Sequence, residues 1–495
     1  MTTKRSSSRV AWAITMTTLL TVTLATMFGP LADRQWEQPQ LLFSLTTVAA
    51  ATCVIAATVL IALADRREMA EIGLLGTMLM AASVMPMVHG LMTPGVLFDD
   101  TSAFAMSSFL TLPIAVAVGS PLLMPKSAFG RWAARRWRDW TLLSVLGVFV
   151  AASVVVFYPD AGEAPAPTSV VTIVVSVALL LALGSLSSRQ LRLYEIGRQP
   201  ANLIASFSFA LLAIMALAPM APSRYTVGFW WLHVAGAVGV IGACGGLAIS
   251  KRMSPSAQDL LAPVLTRDPL VAFELGLSPV VHQFVADLEA KDEITRDHVV
   301  RTGELAMRVG ERFRLSGVEL RDLGLAAMLH YVGKVRVPDE ILKKPGRLTE
   351  AEYELMKQHP ADGEAMLRAE PTLAAAATIV RSHHERFDGG GYPDGLAGRD
   401  IPLASRIIAA CDALDAMTHD RQYRTAMPIP MAFAILREHA GSQWDEAVIE
   451  QVIAAVGAIP MISTFDGVGR ADGTLDLDSI PDDVSELLVA VDAEI

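Results

Sequence analysis

Long apolar runs dominate the first half of this 495-residue chain and constrain its fold more than any other feature. A helix needs about 20 mostly apolar residues to cross a bilayer. Eight segments meet this requirement, and the charged residues lie almost entirely between them. They are 11–32, 41–64, 72–91, 103–123, 141–158, 169–187, 202–220 and 230–250. The pattern predicts an all-α protein that begins with a polytopic helical membrane bundle.

Basic residues are unevenly distributed among the loops of this predicted bundle. Residues 1–252 hold 17 Lys and Arg, of which 15 fall in alternate loops that would share one side of the membrane. The positive-inside rule places those loops in the cytoplasm. An even number of spans then leaves the C-terminal half cytoplasmic as well. Because further spans follow the first apolar run, we interpret that run as an anchor rather than a cleaved signal.

The rest of the chain is acidic and less apolar, with 40 Asp and Glu against 23 Lys and Arg after residue 252. Such a surface repels phosphates, which argues against a nucleic-acid polymer as partner. The three cysteines are not paired by spacing, so no disulfide framework is implied. Prolines break up a predicted linker at 253–284, and helical periodicity predicts a domain at 285–465. An acidic tail, 466–495, follows it.

Two histidines lie inside predicted spans, His89 in the third and His233 in the eighth. Both fall near the same outer membrane level, and ionisable residues within spans are functional candidates. Met85, Met87 and Met92 would suit a soft metal or a haem edge, which predicts a sensing site. The alternative is that both imidazoles bond to backbone carbonyls and that the methionines only pack.

A second histidine set lies on the inward faces of successive predicted helices in the acidic half. Neutral imidazole and carboxylate suit Fe, Mn, Zn or Ni, and two such ions can clamp a phosphodiester and activate water. Lys334 follows one of these histidines by one helical turn and points the same way. The set comprises His298, His330, His359, His383, His384 and Asp412.

Residues from about 285 to 460 resemble the HD-GYP domain, a branch of the HD phosphohydrolase superfamily. The run that contains Gly391-Tyr392-Pro393 is the most specific match. The matching motifs are "DHVVRTGELA", "MLHYVGKVRVPDEILKKPGRLT", "MKQHPADGEAML", "IVRSHHERFDGGGYPDGLAGRDIP" and "RIIAACDALDAMTHDRQYRTAM".

This resemblance implies an all-helical domain with a divalent metal centre, most often Fe or Mn, that hydrolyses cyclic di-GMP. It implies metal ligands at the six residues of the second histidine set, and phosphate contacts at Lys334, Arg421 and Arg424. Tyr392 would lie near the pocket and contact a base of the substrate or a partner protein. It further implies a homodimer and diguanylate cyclase (GGDEF) proteins as partners. Together with the apolar spans and basic loops, we expect a multi-pass protein of the bacterial inner membrane in contact with membrane lipid.

Two positions depart from the family pattern. Ile294 replaces a Glu that supplies a third metal in some members, so two metals at most are expected. Tyr331 replaces the Asp of the HD motif, whose carboxylate bridges the two metals. A phenol is neutral near pH 7, so weaker loading or the loss of one metal is expected. Two hypotheses follow: a metal-dependent phosphodiesterase, or a catalytically silent cyclic-di-GMP receptor or scaffold that binds partners through the Gly-Tyr-Pro loop.

Overall fold

The computed structural model of the chain describes a set of ranges within which regular structure is helical. Two isolated β-bridges and no strand occur in these ranges, so the all-α prediction is confirmed. Part of the predicted linker and the whole predicted tail lie outside them. The chain divides into two compact units, Met1–Leu275 and Gly276–Ile495. The described ranges are 7–29, 34–67, 70–97, 102–124, 127–158, 164–221, 224–253, 268–291, 295–419 and 426–457.

Ten α-helices form the described part of the first unit. They are α1 (Ser7–Phe28), α2 (Pro39–Arg67), α3 (Ala70–Leu91), α4 (Ser102–Leu123), α5 (Ala128–Arg135), α6 (Trp137–Phe157), α7 (Val170–Gly197), α8 (Pro200–Met215), α9 (Val227–Met253) and α10 (Pro269–Leu275).

Seven of these helices, α2 to α4 and α6 to α9, are long and apolar enough to cross a membrane. The first predicted span, residues 11–32, overlaps α1, which contains the shorter apolar stretch Trp12–Phe28. The candidate at α8 continues through a 3₁₀ turn to Met220. Seven full-length candidates thus lie among the described residues, and the total of about eight spans stays a prediction.

Polar side chains link neighbouring helices of this unit. Asn202 on α8 donates to the Gln190 side chain on α7 over 2.8 Å, and Ser187 donates to the Ser206 carbonyl over 2.7 Å. All four residues are buried. Hydrogen bonds of this kind hold helices together where the surroundings supply no water.

The second unit contains ten described α-helices of shorter length. They are α11 (Pro279–Lys291), α12 (Thr295–Arg312), α13 (Gly317–Leu329), α14 (Asp339–Leu342), α15 (Glu350–Met356), α16 (His359–Arg368), α17 (Ala374–Arg381), α18 (Leu403–Thr418), α19 (Ile429–Glu438) and α20 (Glu446–Gly457).

Local sequence signals explain where several of these helices begin. Ser316 and Glu319 form a reciprocal capping box at the start of α13, and Thr349 and Glu352 form another at α15. Each box satisfies two backbone amides that would otherwise lack partners. Pro360 occupies the first turn of α16, where a missing N–H costs nothing. These starts fix where the following histidines lie.

Gly333 lets two segments of the second unit approach closely. It lies in a 3₁₀ turn, Val332–Arg336, that follows α13 and packs against α16. A Cβ at this position would lie 1.9 Å from the His359 carbonyl oxygen and 2.7 Å from the Gly363 nitrogen. Both neighbours are backbone atoms that cannot rotate away, so only glycine fits here.

We expect Gly333→Ala to destabilise the second unit by about 3 kcal/mol, because the added methyl group forces the turn and α16 apart. Hydrogen exchange of the full-length protein should then show faster exchange in His359–Arg368. Gly457→Ala is the matched control, since a Cβ there meets nothing within 4 Å. Equal exchange in both variants would contradict the close-approach argument.

Candidate metal centre

The six predicted metal ligands come together from five separate segments of the second unit. His298 lies on α12, His330 ends α13, His359 begins α16, the pair His383-His384 follows α17, and Asp412 lies on α18. They form two groups, each with ligand atoms within 4.8 Å of one another. One group, the first triad, is His298, His330 and Asp412. The other, the second triad, is His359, His383 and His384.

The ring nitrogens of these histidines are arranged as in a metal site. In His330, His359 and His383 the Nδ1–H donates to a backbone carbonyl three residues earlier, at 2.6, 2.8 and 2.5 Å. This fixes the tautomer and leaves Nε2 with its lone pair. The Nε2 atoms of His330, His359, His383 and His384 are buried without a hydrogen-bond partner among the described residues, and the Nε2 of His298 lies beside the Asp412 carboxylate. Buried polar atoms are rarely left unpaired, so this donor set fits metal ions.

Burial keeps most of these imidazoles neutral, which is the form that binds metal. It lowers the pKa of His383 to about 3 and also lowers the pKa of His330. It holds the pKa of His359 and of His384 well below the usual value. His298 is the exception. Burial opposes its protonated form, but the carboxylates of Asp412 and Asp415 outweigh burial and raise its pKa.

Asp412 supplies the carboxylate of the first triad and is fully buried. Its Oδ1 lies 3.0 Å from His298 Nε2 and 3.8 Å from His330 Nε2. Burial alone would raise the pKa of Asp412, but these two histidines hold it well below the usual range. The group is therefore an ionised oxygen donor directed at the same space as the two imidazoles.

Asp415 orients the first triad, a role that the sequence analysis did not assign. Its Oδ2 accepts from His298 Nδ1–H over 2.7 Å, and the Arg301 guanidinium grips the same carboxylate through two bonds of 2.7 and 2.9 Å. The i+3 spacing from Asp412 places both acids on one side of α18 and was the available signal. A carboxylate behind a ligating imidazole fixes its ring and raises its basicity.

We expect Asp415→Asn to weaken metal binding at the first triad about 10–100-fold. The reason is that a neutral amide neither raises the basicity of the His298 imidazole nor fixes its ring as a carboxylate does. Titration of the metal-free protein with Mn²⁺ measures the change. Asp400→Asn, at an exposed position, is the matched control. Unchanged Mn²⁺ affinity in Asp415→Asn would remove this residue from the account.

Tyr331 is buried and its ring lies near histidines of both triads. Its ring centroid lies 4.0 Å from that of His330 and 5.4 Å from that of His298. It lies 5.9 Å from the ring of His359 and 6.2 Å from that of His383. The hydroxyl donates towards Asp412 Oδ2 over 3.2 Å. A neutral donor to Asp412 thus stands where a bridging acceptor is expected.

Lys334 also reaches the centre. Its ammonium nitrogen lies 3.5 Å from the centroid of the Tyr331 ring, and the residue is only 7% exposed. Cation–π contacts of this kind are favourable by up to about 2 kcal/mol when desolvated. The face of the Tyr331 ring therefore contacts the buried ammonium group of Lys334, while the Tyr331 hydroxyl donates a hydrogen bond to Asp412.

The remaining predicted site residues have different outcomes. Tyr392 stacks on His384, with ring centroids 4.9 Å apart, so it adjoins the second triad. Arg421 and Arg424 lie outside the described residues, as does Ile294. Metal ligation, phosphate contacts and base contacts by these side chains stay predictions.

Comparison with known proteins is consistent with this geometry. The HD domain family model matches residues 284–448. A cyclic di-GMP phosphodiesterase of Thermotoga maritima is 40% identical over 164 residues, 33% of this chain and 45% of that protein. The cyclic di-GMP phosphodiesterase response regulator RpfG of Xanthomonas campestris pv. campestris is 39% identical over 168 residues, 34% of this chain and 44% of that protein.

A 3'3'-cGAMP-specific phosphodiesterase 3 of Vibrio cholerae is 34% identical over 184 residues, 37% of this chain and 40% of that protein. The chain thus spans less than half the length of these curated relatives. All three similarities cover about a third of the chain, the same share as the family match. Residues 284–448 of this chain are therefore similar to an HD domain.

Proposed function

We propose that this protein is a membrane-anchored, metal-dependent phosphodiesterase that hydrolyses cyclic di-GMP. The observation that carries the proposal is the set of four buried, unpartnered Nε2 atoms that join His298 and the Asp412 carboxylate in two triads. Structural histidines in a packed core would have their ring nitrogens paired. Two adjacent three-ligand groups, each leaving open positions, suit metal-assisted hydrolysis.

The first triad would hold one ion through two imidazoles and a carboxylate, and the second would hold another through three imidazoles. Fe or Mn is the proposed metal, with two ions at most. When bound, such ions stabilise charge on a phosphodiester and make a water molecule a better nucleophile. Lys334 would pair with a phosphate oxygen, and Arg421 and Arg424 would bind the phosphates of the dinucleotide.

Tyr331 sets the expected level of activity. Two dications would face the single formal carboxylate of Asp412, because the tyrosine adds no negative charge at neutral pH. The repulsion between such ions is then less well compensated. We therefore propose that one triad loads more weakly than the other and that hydrolysis is slow.

A second candidate function is a cyclic-di-GMP receptor or scaffold without turnover. The specific observation in its favour is Tyr331 itself, whose ring fills the space between the triads. In this alternative Tyr392 and the loop that carries it would contact a diguanylate cyclase partner. Homodimer formation and contact with membrane lipid belong to both candidates.

Seven long apolar helices support the proposed place in the cell. Together with the basic loops they support a multi-pass protein of the bacterial inner membrane with a cytoplasmic HD domain. Insertion can be tested with reporter fusions. A cytoplasmic reporter should be active when fused after residue 253 and inactive when fused in the loop between α6 and α7.

The identity of the substrate can be tested by comparing cyclic di-GMP with 3'3'-cGAMP. Relatives of this chain are named as phosphodiesterases of one or the other of these two dinucleotides. The purified full-length protein, loaded anaerobically with Fe²⁺ or Mn²⁺, should convert cyclic di-GMP faster than 3'3'-cGAMP. Faster turnover of 3'3'-cGAMP would change the substrate but keep the reaction. Binding of cyclic di-GMP with no turnover under either metal would establish the receptor instead.

A further inference from the structure

His89 and His233 meet inside the first unit, far from each other in sequence. His89 lies near the end of α3, and His233 lies in the second turn of α9. Their side chains are 3% and 8% exposed, and their Nε2 atoms are 3.2 Å apart. A pair of imidazoles buried in a candidate span needs a reason, because such groups are costly there.

The Nδ1 atom of each histidine in the pair already has a hydrogen-bond partner. His89 Nδ1–H donates to the Phe104 carbonyl over 3.0 Å, and His233 Nδ1–H donates to the Phe229 carbonyl over 2.8 Å. The Ser107 hydroxyl lies 3.2 Å from His89 Nδ1 but donates its own proton to the Phe104 carbonyl over 2.8 Å. A carbonyl only accepts, so each Nδ1 carries the proton. Both Nε2 atoms therefore present lone pairs to each other, and this arrangement is stable only with an electron-pair acceptor between them.

The spacing of the two Nε2 atoms suits a shared metal ion. Imidazole–metal bonds are about 2.0–2.1 Å long for an ion such as zinc, so two nitrogens on one ion lie no more than about 4 Å apart. A separation of 3.2 Å corresponds to a bent angle of about 100° at the ion. A bent pair leaves room for one or two further ligands.

Two buried methionines near His89 offer thioether donors. Met85 precedes His89 by four positions on the same face of α3. Met92 follows it by three positions, just after α3 ends, and its backbone N–H still donates to the Val88 carbonyl. Each is at most 1% exposed, and both belong to the buried cluster around Phe104 and Phe229. The rings of those phenylalanines stack on His89 and His233, each at 4.1 Å between centroids. The pair is thus enclosed by soft and aromatic groups.

The charged groups described around the pair favour a monovalent ion over a divalent one. In the described part of the chain, no third His, Cys, Asp or Glu offers a ligand atom within 4.8 Å of both members of the pair. The Arg224 guanidinium lies 4.8 Å from the Phe104 ring centroid, on a ring that stacks with His89. A dication without an anionic ligand would be strongly disfavoured in such a site. Imidazole and thioether donors favour Cu(I).

We propose that His89 and His233 form a Cu(I) site in the first unit, separate from the HD-domain centre. Met85 and Met92 complete it as soft donors. The proposal does not depend on whether the HD domain is a phosphodiesterase.

The test uses the full-length protein in lipid nanodiscs, titrated anaerobically with Cu(I) against a competing chelator. We expect His89→Gln and His233→Gln each to lose one Cu(I) equivalent relative to wild type. His282→Gln, at an exposed histidine, is the matched control and should lose none. His383→Ala, which alters the HD domain, should keep the equivalent that the first two variants lose.

Equal Cu(I) binding in wild type and in both Gln variants would overturn the proposal, and the pair would then share a proton. X-ray absorption of wild type carrying one Cu(I) equivalent covers the case in which the variants do not fold. Two imidazole nitrogens with one or two sulfur ligands are expected. A spectrum with three imidazoles and no sulfur would assign the ion to the HD domain and overturn the proposal as well.

Discussion

Replacing Tyr331 with aspartate is expected to raise cyclic-di-GMP turnover about 100-fold, the equivalent of about 3 kcal/mol of transition-state stabilisation. The number of bound Mn²⁺ ions should rise at the same time, from about one towards two per chain. Turnover and metal content should rise together, because two metal ions polarise a phosphodiester better than one ion does.

The physical reason lies in what each side chain offers to the two triads. Tyr331 donates its hydroxyl proton to Asp412 over 3.2 Å and places a neutral ring among the histidines. A carboxylate at the same position would accept, would carry a negative charge, and would be small enough to leave space for ions. It would thereby reduce the repulsion between two dications.

Two further substitutions separate charge from size. Tyr331→Asn matches aspartate in shape but is neutral, so we expect metal content and turnover to stay near wild type. Tyr331→Phe keeps the ring and removes the hydrogen bond to Asp412, and it should also give no gain. If metal content and turnover rise as much in Tyr331→Asn as in Tyr331→Asp, the effect comes from removing the bulky ring. The negative charge of the aspartate would then not be the cause.

His383→Ala is expected to abolish turnover, with a loss of about 1000-fold or more, as for residues that act as one catalytic unit. His383 is 1% exposed, and its Nδ1–H is bound to the Val380 carbonyl, so its Nε2 is committed to the second triad. Removing it leaves two ligands for that ion. Metal analysis should show a lower metal content in the same sample.

His282→Ala is the control for this loss, because His282 is exposed and bonds only locally to the Ser278 carbonyl. It should retain wild-type turnover and metal content. Retained turnover in His383→Ala would mean that the second triad does not take part in hydrolysis.

Part of the candidate centre was predictable from sequence because each ligand lies at a recognisable place in a motif. His298, His330 and Asp412 follow helical spacing on buried faces, and their convergence required only that the predicted helices pack together. The structure adds which ring nitrogen of three of these histidines carries the proton. Backbone carbonyls at i−3 fix three of the imidazoles, a detail that depends on helix ends rather than on residue identity.

Other features depend on long-range contacts that no local pattern encodes. Arg301 and Asp415 are 114 positions apart, yet their bidentate pair sets the orientation of His298. Gly333 is necessary only because the His359 carbonyl approaches it from another helix. The end of α1 at Phe28 has a local signal instead, because Gly29 and Pro30 follow it, although hydropathy alone continued the predicted span to residue 32.

The central claim is that the two triads form a metal centre that hydrolyses cyclic di-GMP. The most direct test measures linear product from cyclic di-GMP with the full-length protein after anaerobic Fe²⁺ or Mn²⁺ loading, together with metal content. The account predicts slow but measurable turnover with at least one bound ion, and none after chelation. Full metal loading with no product, even after long incubation, would contradict it.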